Sequence, residues 1–201
     1  MVKYEIFVSR KPVDGREIEE LKGLPVIKPF QVHGAGIAFV GKKSSLPPKA
    51  DALVTDSKKI WIGVLSADCL PVFLVGDGTV GIVHAGWRGT LKGITYNAVK
   101  YISRFSPVRE AILGVCICKN CYEVGEDVRK LFSSEYESCF EPLGNGKYLF
   151  DLRKANRIQL KAAGVPVIRE IEGCTVCNND LYYSYRKEKT EKRILSAIRI
   201  I

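Results

Sequence analysis

"KIWIGVLSADCLPVFLVGDGTVGIVHAGW", residues 59–87, is the stretch that decides the fold. It holds three apolar runs, and Gly76-Asp77-Gly78 joins two of them as a hairpin. Cys69 then lies at the end of one strand segment and His84 at the end of another. Outward from this stretch, "YEIFVSR", "VIKPFQVHG", "GIAFVG", "EAILGVCI", "VIREIEG" and "RILSAIRII" read as further strands. The second and third are split by the Gly34-Ala35-Gly36 turn. "DGREIEELKGL" reads as a short helix or turn ending at Gly23, and "SSLPPKADALVTD" as a loop. "RGTLKGITYNAVKYISRFS" has helical spacing, with Leu91, Ile94, Ala98, Tyr101 and Ile102 on one side. "EVGEDVRKLFSSEYESCF" reads as one helix or two. "YLFDLRKANRIQLKAAGV" is an amphipathic helix with Asp151 as N-cap and Gly164 as C-cap. Strands outnumber what regular β-α alternation allows, and no repeat or linker interrupts the chain. The expected fold is α+β: mixed β-sheets with flanking helices, in a single layered domain over residues 1–201.

The 201 residues are 46% apolar and 26% charged, an ordinary globular composition. There is no run of 18 apolar residues, so no membrane span is expected. "MVKYEIFVSRKPVDGRE" has too short an apolar core for a signal peptide, which makes a cytoplasmic location the expectation. The 31 basic residues exceed the 22 acidic ones, for a net charge of +9. The basic residues are spread, with one modest cluster at "YRKEKTEKR", and no interleaved aromatics accompany them. An anionic substrate such as phosphate is at least as good a use of this charge as nucleic acid. The seven cysteines are an odd count, which argues against a pure disulfide framework.

The chain has only two histidines, His33 and His84, each beside glycine or a small residue. With Cys69 they make three groups at strand-to-turn junctions, and strand ends converge readily in a mixed sheet. Two imidazoles and one thiolate suit zinc, and three protein ligands leave a fourth position open for catalysis. The competing readings are two turn or core histidines and an inert buried cysteine.

"QVHG", "DALVT", "SADCLPV", "VHAGWRG", "YEVGEDV" and "YYSYRK", in this order, resemble the laccase-domain family, also called the multicopper polyphenol oxidase or YfiH-like family. The resemblance implies that His33, Cys69 and His84 hold a zinc ion. It implies phosphorolysis of adenosine, inosine or guanosine, and in some members deamination of adenosine or cleavage of methylthioadenosine. Purine nucleoside and phosphate are the implied partners, with a homo-oligomer as the most that is expected beyond them. Copper is the less favoured metal. Two imidazoles cannot furnish a type 1 copper and a trinuclear cluster together.

In this reading Arg88, in "HAGWRG", is the natural phosphate-binding group, since its planar fork suits an anion; a structural salt bridge is the alternative. Gly86 and Gly89 let the backbone approach substrate closely. Trp87 is assigned to core, and a helix starting near Thr90 offers amides to an anion. Asp68, before the ligand cysteine, is a candidate to orient a ligand or act on a proton, with turn capping in competition. Gln31, two residues before His33 on an expected strand, points the same way and is a candidate for contact with the base. Arg10 resembles the family's N-terminal Ser-x-Arg segment, and Tyr122 with Glu123 are candidates to line the site. Where the family has Gly-Pro-x-Ile, this chain reads "LGVCICKNC", and "CTVC" follows later. Cys116, Cys118, Cys121, Cys174 and Cys177 thus stand as a second metal site, as disulfides or as free thiols.

Three other functions compete with the phosphorylase. A cysteine hydrolase or deamidase would use Cys69 as nucleophile and a histidine as base. A basic binding module would show strongly salt-dependent association and no turnover. A copper-dependent polyphenol oxidase would consume oxygen with phenols.

Overall fold

The computed structural model describes residues 2–41 and 48–201. Its strands are β1 (Tyr4–Val8), β2 (Glu20–Leu21), β3 (Leu24–Ile27), β4 (Ile37–Phe39), β5 (Ala52–Thr55), β6 (Trp61–Ser66), β7 (Leu70–Gly76), β8 (Val80–Ala85), β9 (Val108–Leu113), β10 (Glu123–Gly125), β11 (Phe140–Gly144), β12 (Lys147–Phe150), β13 (Val167–Glu170) and β14 (Ile194–Ile200). The α-helices are α1 (Trp87–Leu91), α2 (Ile94–Ile102), α3 (Glu126–Arg129), α4 (Leu152–Ala162) and α5 (Tyr185–Glu188). They form a five-stranded sheet ordered β1-β14-β6-β3-β2, a six-stranded sheet ordered β13-β9-β7-β8-β5-β4 and a small sheet ordered β10-β12-β11. Parallel and antiparallel pairs occur in both large sheets, as the α+β expectation requires.

The central hairpin shows why its sequence is apolar without alternation. Val72 and Leu74 of β7 face one core, shared with Ile94, Ala98 and Ile102 of α2 and Leu152, Ala155 and Leu160 of α4. Phe73 and Val75 face a second core, shared with Ile62 and Val64 of β6 and Ile198 and Ile200 of β14. The six-stranded sheet is therefore covered by helices on one face and by the other sheet on the opposite face. A strand buried on both faces reads as a continuous apolar run. Each fully buried side chain such as Phe73 contributes about 1.5–3 kcal/mol.

Several expectations are corrected. "DGREIEELKGL" makes one 3-10 turn at Gly15–Glu17 and then enters the β2–β3 hairpin. Lys22 and Gly23 both have positive φ there, +52° and +70°, as a tight hairpin turn demands. Of "SSLPPKADALVTD", residues 44–47 lie outside the described residues, and Ala52–Thr55 is strand rather than loop. Its four residues are buried between β4 and β8, so burial outweighs the proline signal before them. "VIKPFQVHG" is strand only to Ile27. The helix expected after Arg88 breaks into α1 and α2 at Gly93, which has φ +71°. Glu123–Gly125 is strand, followed by the single turn α3. Helix α4 agrees with its expected caps. Asp151 accepts from the Lys154 amide at 2.8 Å, and Gly164 turns the chain at φ +86°.

Helix α4 also carries a buried polar seam that fixes α1. Asn156 donates to Thr90 Oγ1 at 3.0 Å and accepts from Thr95 at 2.6 Å. Gln159 donates to the Thr90 carbonyl at 2.6 Å. The short helix bearing Arg88 is thereby tied to the core, with its buried polar groups satisfied.

Candidate metal site

The β7–β8 register sets Leu70 opposite Ala85 and Pro71 opposite His84. Cys69, one residue before β7, consequently meets the end of β8 where His84 stands. His33 reaches the same point from the loop between β3 and β4, with φ +55°. The ligand atoms of His33, Cys69 and His84 lie within 4.8 Å of one another, and the two imidazoles meet edge to face at 4.8 Å between centroids. The three predicted metal ligands are thus brought together.

Asp51 is the residue behind them. Its Oδ1 lies 3.0 Å from His84 Nδ1, and both side chains are buried. The same carboxylate accepts from the amides of Val32 at 3.3 Å, His33 at 2.9 Å and Gly34 at 2.7 Å. One anion therefore fixes the His84 ring and the loop that carries His33. With Nδ1 engaged, Nε2 is the nitrogen left for an ion, a usual arrangement around ligating histidines. Burial opposes ionisation of Asp51, but His84 and these amides hold its carboxyl below the ordinary aspartate range. The sequence carried one signal for it, an acid set directly against the apolar run Ala52-Leu53-Val54.

Burial also opposes ionisation of the Cys69 thiol. The charge of His84 and hydrogen bonds from both imidazoles nevertheless bring it down to about 6. His84, disfavoured as a cation by burial, is raised to about 9 by Cys69 and Asp51. A thiolate held between imidazoles, with a carboxylate behind, is the chemistry of a divalent-metal ligand set.

The glycines of "HAGWRG" serve this cradle. A Cβ on Gly86 would stand 2.9 Å from Cys69 Sγ and 3.5 Å from the His33 ring. A Cβ on Gly89 would stand 3.0 Å from the Gly34 carbonyl. Both positions are pressed against the ligand loops. Trp87 is half-buried against the core, as assigned. Arg88 is exposed, its guanidinium 4.3 Å from the Trp87 ring, and among the described residues no carboxylate pairs with it.

Asp68, at φ +101°, uses both carboxylate oxygens on the C-terminal segment. It accepts from Thr175 at 2.6 Å, Ser184 at 2.7 Å and the Arg186 amide at 2.7 Å. The Arg186 guanidinium then donates to the Glu123 carbonyl at 3.0 Å and covers the Tyr122 ring at 5.4 Å. Tyr122 packs on Phe150, and burial followed by the charges of Cys69 and Asp68 raises its hydroxyl pKa. Thr175, Ser184 and Arg186 were not singled out in the sequence.

Gln31 is not on a strand, so the shared-face argument with His33 does not hold. Its amide makes a two-way bond with Leu65, donating to the carbonyl at 2.8 Å and accepting from the amide at 2.7 Å. Arg10 is exposed, in a segment that joins the C-terminal tether through the Lys11 amide and the Leu181 carbonyl.

Residues 16–201 match the family described as multi-copper polyphenol oxidoreductase laccase. A purine nucleoside phosphorylase of Aquifex aeolicus is 36% identical over 174 residues, 86% of this chain and 82% of the relative. An adenosine deaminase, RL5, from an unknown prokaryotic organism is 33% identical over 182 residues, 81% of this chain and 70% of the relative. The crystal structure of a Neisseria meningitidis protein superposes with a TM-score of 0.82 at 34% identity, covering 89% of this chain and 76% of that one.

Proposed function

The chain belongs to the multi-copper polyphenol oxidoreductase laccase family, and from that premise we propose that it is a zinc-dependent purine nucleoside phosphorylase. The observation that carries the reading is the His33–Cys69–His84 triad with Asp51 behind it. The ligand set argues against the literal oxidase: two histidines in the whole chain cannot build a multicopper centre. His33, Cys69 and His84 would hold the zinc, which when bound would supply a Lewis acid able to polarise an oxygen.

The remaining work falls to the chain itself. In phosphorolysis a phosphate oxygen forms a bond to the nucleoside C1′ as the bond to the purine nitrogen breaks. The bonding pair leaves with the base, which takes up a proton. Arg88, exposed and without a carboxylate partner among the described residues, is assigned to phosphate. Tyr122 and the stacked Arg186 are assigned to the wall beside Cys69, and Arg10 to the rim. Asp68 and Gln31 are assigned to positioning, because their polar atoms are engaged with Thr175, Ser184 and Leu65. Deamination of adenosine is a second reading, favoured by the similarity to RL5; there water adds at purine C6, the exocyclic C6–N bond breaks, ammonia leaves with a proton from the water, and the bond to C1′ stays intact.

The test is to incubate the purified protein and a Cys69→Ala variant with inosine or adenosine and phosphate, measuring metal content alongside. Release of free base and ribose 1-phosphate by wild type, lost with the metal in the variant, supports the reading. Turnover by metal-free wild type would favour Cys69 as a nucleophile instead.

A further inference from the structure

The seven cysteines divide by position. Cys69 belongs to the triad, and Cys116 and Cys139 are buried thiols that burial pushes up to about 12 and about 11. The other four stand together. The chain leaving β9 pairs with the later segment through a parallel bridge from Cys116 to Cys174, and the Thr175 amide donates to the Cys116 carbonyl at 3.2 Å. This lays the turn Cys118-Lys119-Asn120-Cys121 against the turn Cys174-Thr175-Val176-Cys177. Each turn closes on itself: the Cys121 amide on the Cys118 carbonyl at 3.1 Å, and the Asn178 amide on the Cys174 carbonyl at 2.8 Å.

The four sulfurs lie within 4.8 Å of one another, and Cys177 Sγ is 4.0 Å from Cys118 Sγ and 3.5 Å from Cys121 Sγ. A tetrahedron of sulfurs about 2.3 Å from one zinc has edges of about 3.8 Å. Four sulfurs surround one point here, whereas two disulfides would draw them into separate pairs. A multi-iron cluster would spread them over several metal atoms. The backbone amides of Cys118 and Cys177 also donate to Cys174 Sγ, at 3.3 and 3.4 Å, as they would to a thiolate. Zinc with four thiolates has a net charge of about −2. The cleft beside Cys118 is lined by Lys119, Arg153, Lys154 and Arg157 together with Asp151 and Glu170, and Glu170 pairs with Arg153 and Arg157.

We propose that Cys118, Cys121, Cys174 and Cys177 form a second, structural zinc site, separate from the triad and independent of the phosphorylase reading. Its place in the fold gives it a purpose. Cys121 leads directly into Tyr122 and Glu123, while Thr175, inside the second turn, donates to Asp68 beside Cys69. The ion would clamp these two turns together and so set the wall of the candidate active site.

Elemental analysis of Cys69→Ser and of Cys69→Ser/Cys177→Ser, both purified from zinc-containing medium, tests the proposal without recourse to activity. The expected result is one zinc per chain in the first and none in the second. A metal-free Cys69→Ser variant whose four thiols resist alkylation in denaturant would overturn it in favour of disulfides. Iron in place of zinc, or zinc retained by the double variant, would also overturn it. Should the double variant not fold, zinc X-ray absorption on Cys69→Ser decides: an all-sulfur shell supports the site, and nitrogen or oxygen ligands refute it.

Discussion

Asp51 Oδ1 stands 3.0 Å from His84 Nδ1 while it accepts the His33 amide at 2.9 Å. One buried carboxylate therefore orients two ligands from distant parts of the chain. Asp51→Asn keeps the shape but turns an amide nitrogen toward donors that need an acceptor. Zinc affinity at the triad should fall about 10–100-fold. Competition with a chromogenic chelator measures this, and unchanged affinity would show that Asp51 does not set the ligand geometry.

Gly86 makes a cleaner test of close approach. Its backbone, at φ −79° and ψ 174°, is open to any residue, so alanine brings no conformational strain. The added Cβ would nevertheless stand 2.9 Å from Cys69 Sγ. Gly86→Ala should lower turnover up to about 100-fold through ligand displacement, with little change in melting temperature. Full activity in a folded variant would mean that the cradle yields without consequence.

Arg88 is exposed, so its loss should leave stability nearly unchanged. Removing a charge-assisted contact of about 1.5–3 kcal/mol should cut kcat/KM for phosphate roughly 10–100-fold in Arg88→Ala. Lysine should rescue only part, since it lacks the planar fork. Steady-state kinetics with phosphate varied at saturating inosine would reveal it. A defect confined to KM for the nucleoside would move Arg88 from phosphate to the nucleoside.

What the sequence could disclose follows from how locally each feature is determined. The hairpin of Leu70–Gly76 and Val80–Ala85 is closed by its own turn, so the convergence of Cys69 and His84 was legible. Helix α4 announced itself through Asp151 and Gly164. Gln31 was misplaced because its segment is held by Leu65, 34 residues later, and not by a strand pattern of its own. The contacts of Asp51 with His33 and His84 reach 18 and 33 residues along the chain, and that of Asp68 with Ser184 reaches 116. No local spacing encodes them. The four sulfurs were visible as two CxxC pairs, but only the Cys116–Cys174 bridge brings the pairs together.

Acid stability should report on Asp14, which joins the two ends of the chain. Its carboxylate is 4% exposed, accepts from the Arg16 guanidinium at 2.9 and 2.7 Å, and also takes the amides of Arg16 and Arg193. Burial opposes its ionisation, but these donors outweigh burial and hold its pKa below the ordinary value. A lowered folded pKa means that the unfolded chain binds the proton more readily. The stabilisation is then complete above the unfolded pKa of about 3.9 and is lost as pH falls through the folded one. Asp14→Ala should therefore cost about 2 kcal/mol at pH 7, by the loss of charge-assisted hydrogen bonds. The gap between the variant and wild type should narrow with acidification below about 3.9, where wild type loses what the variant never had. Urea unfolding of both proteins at neutral and acid pH measures that gap. A gap that stays constant through the acid range would assign the role of Asp14 to packing and not to its charge.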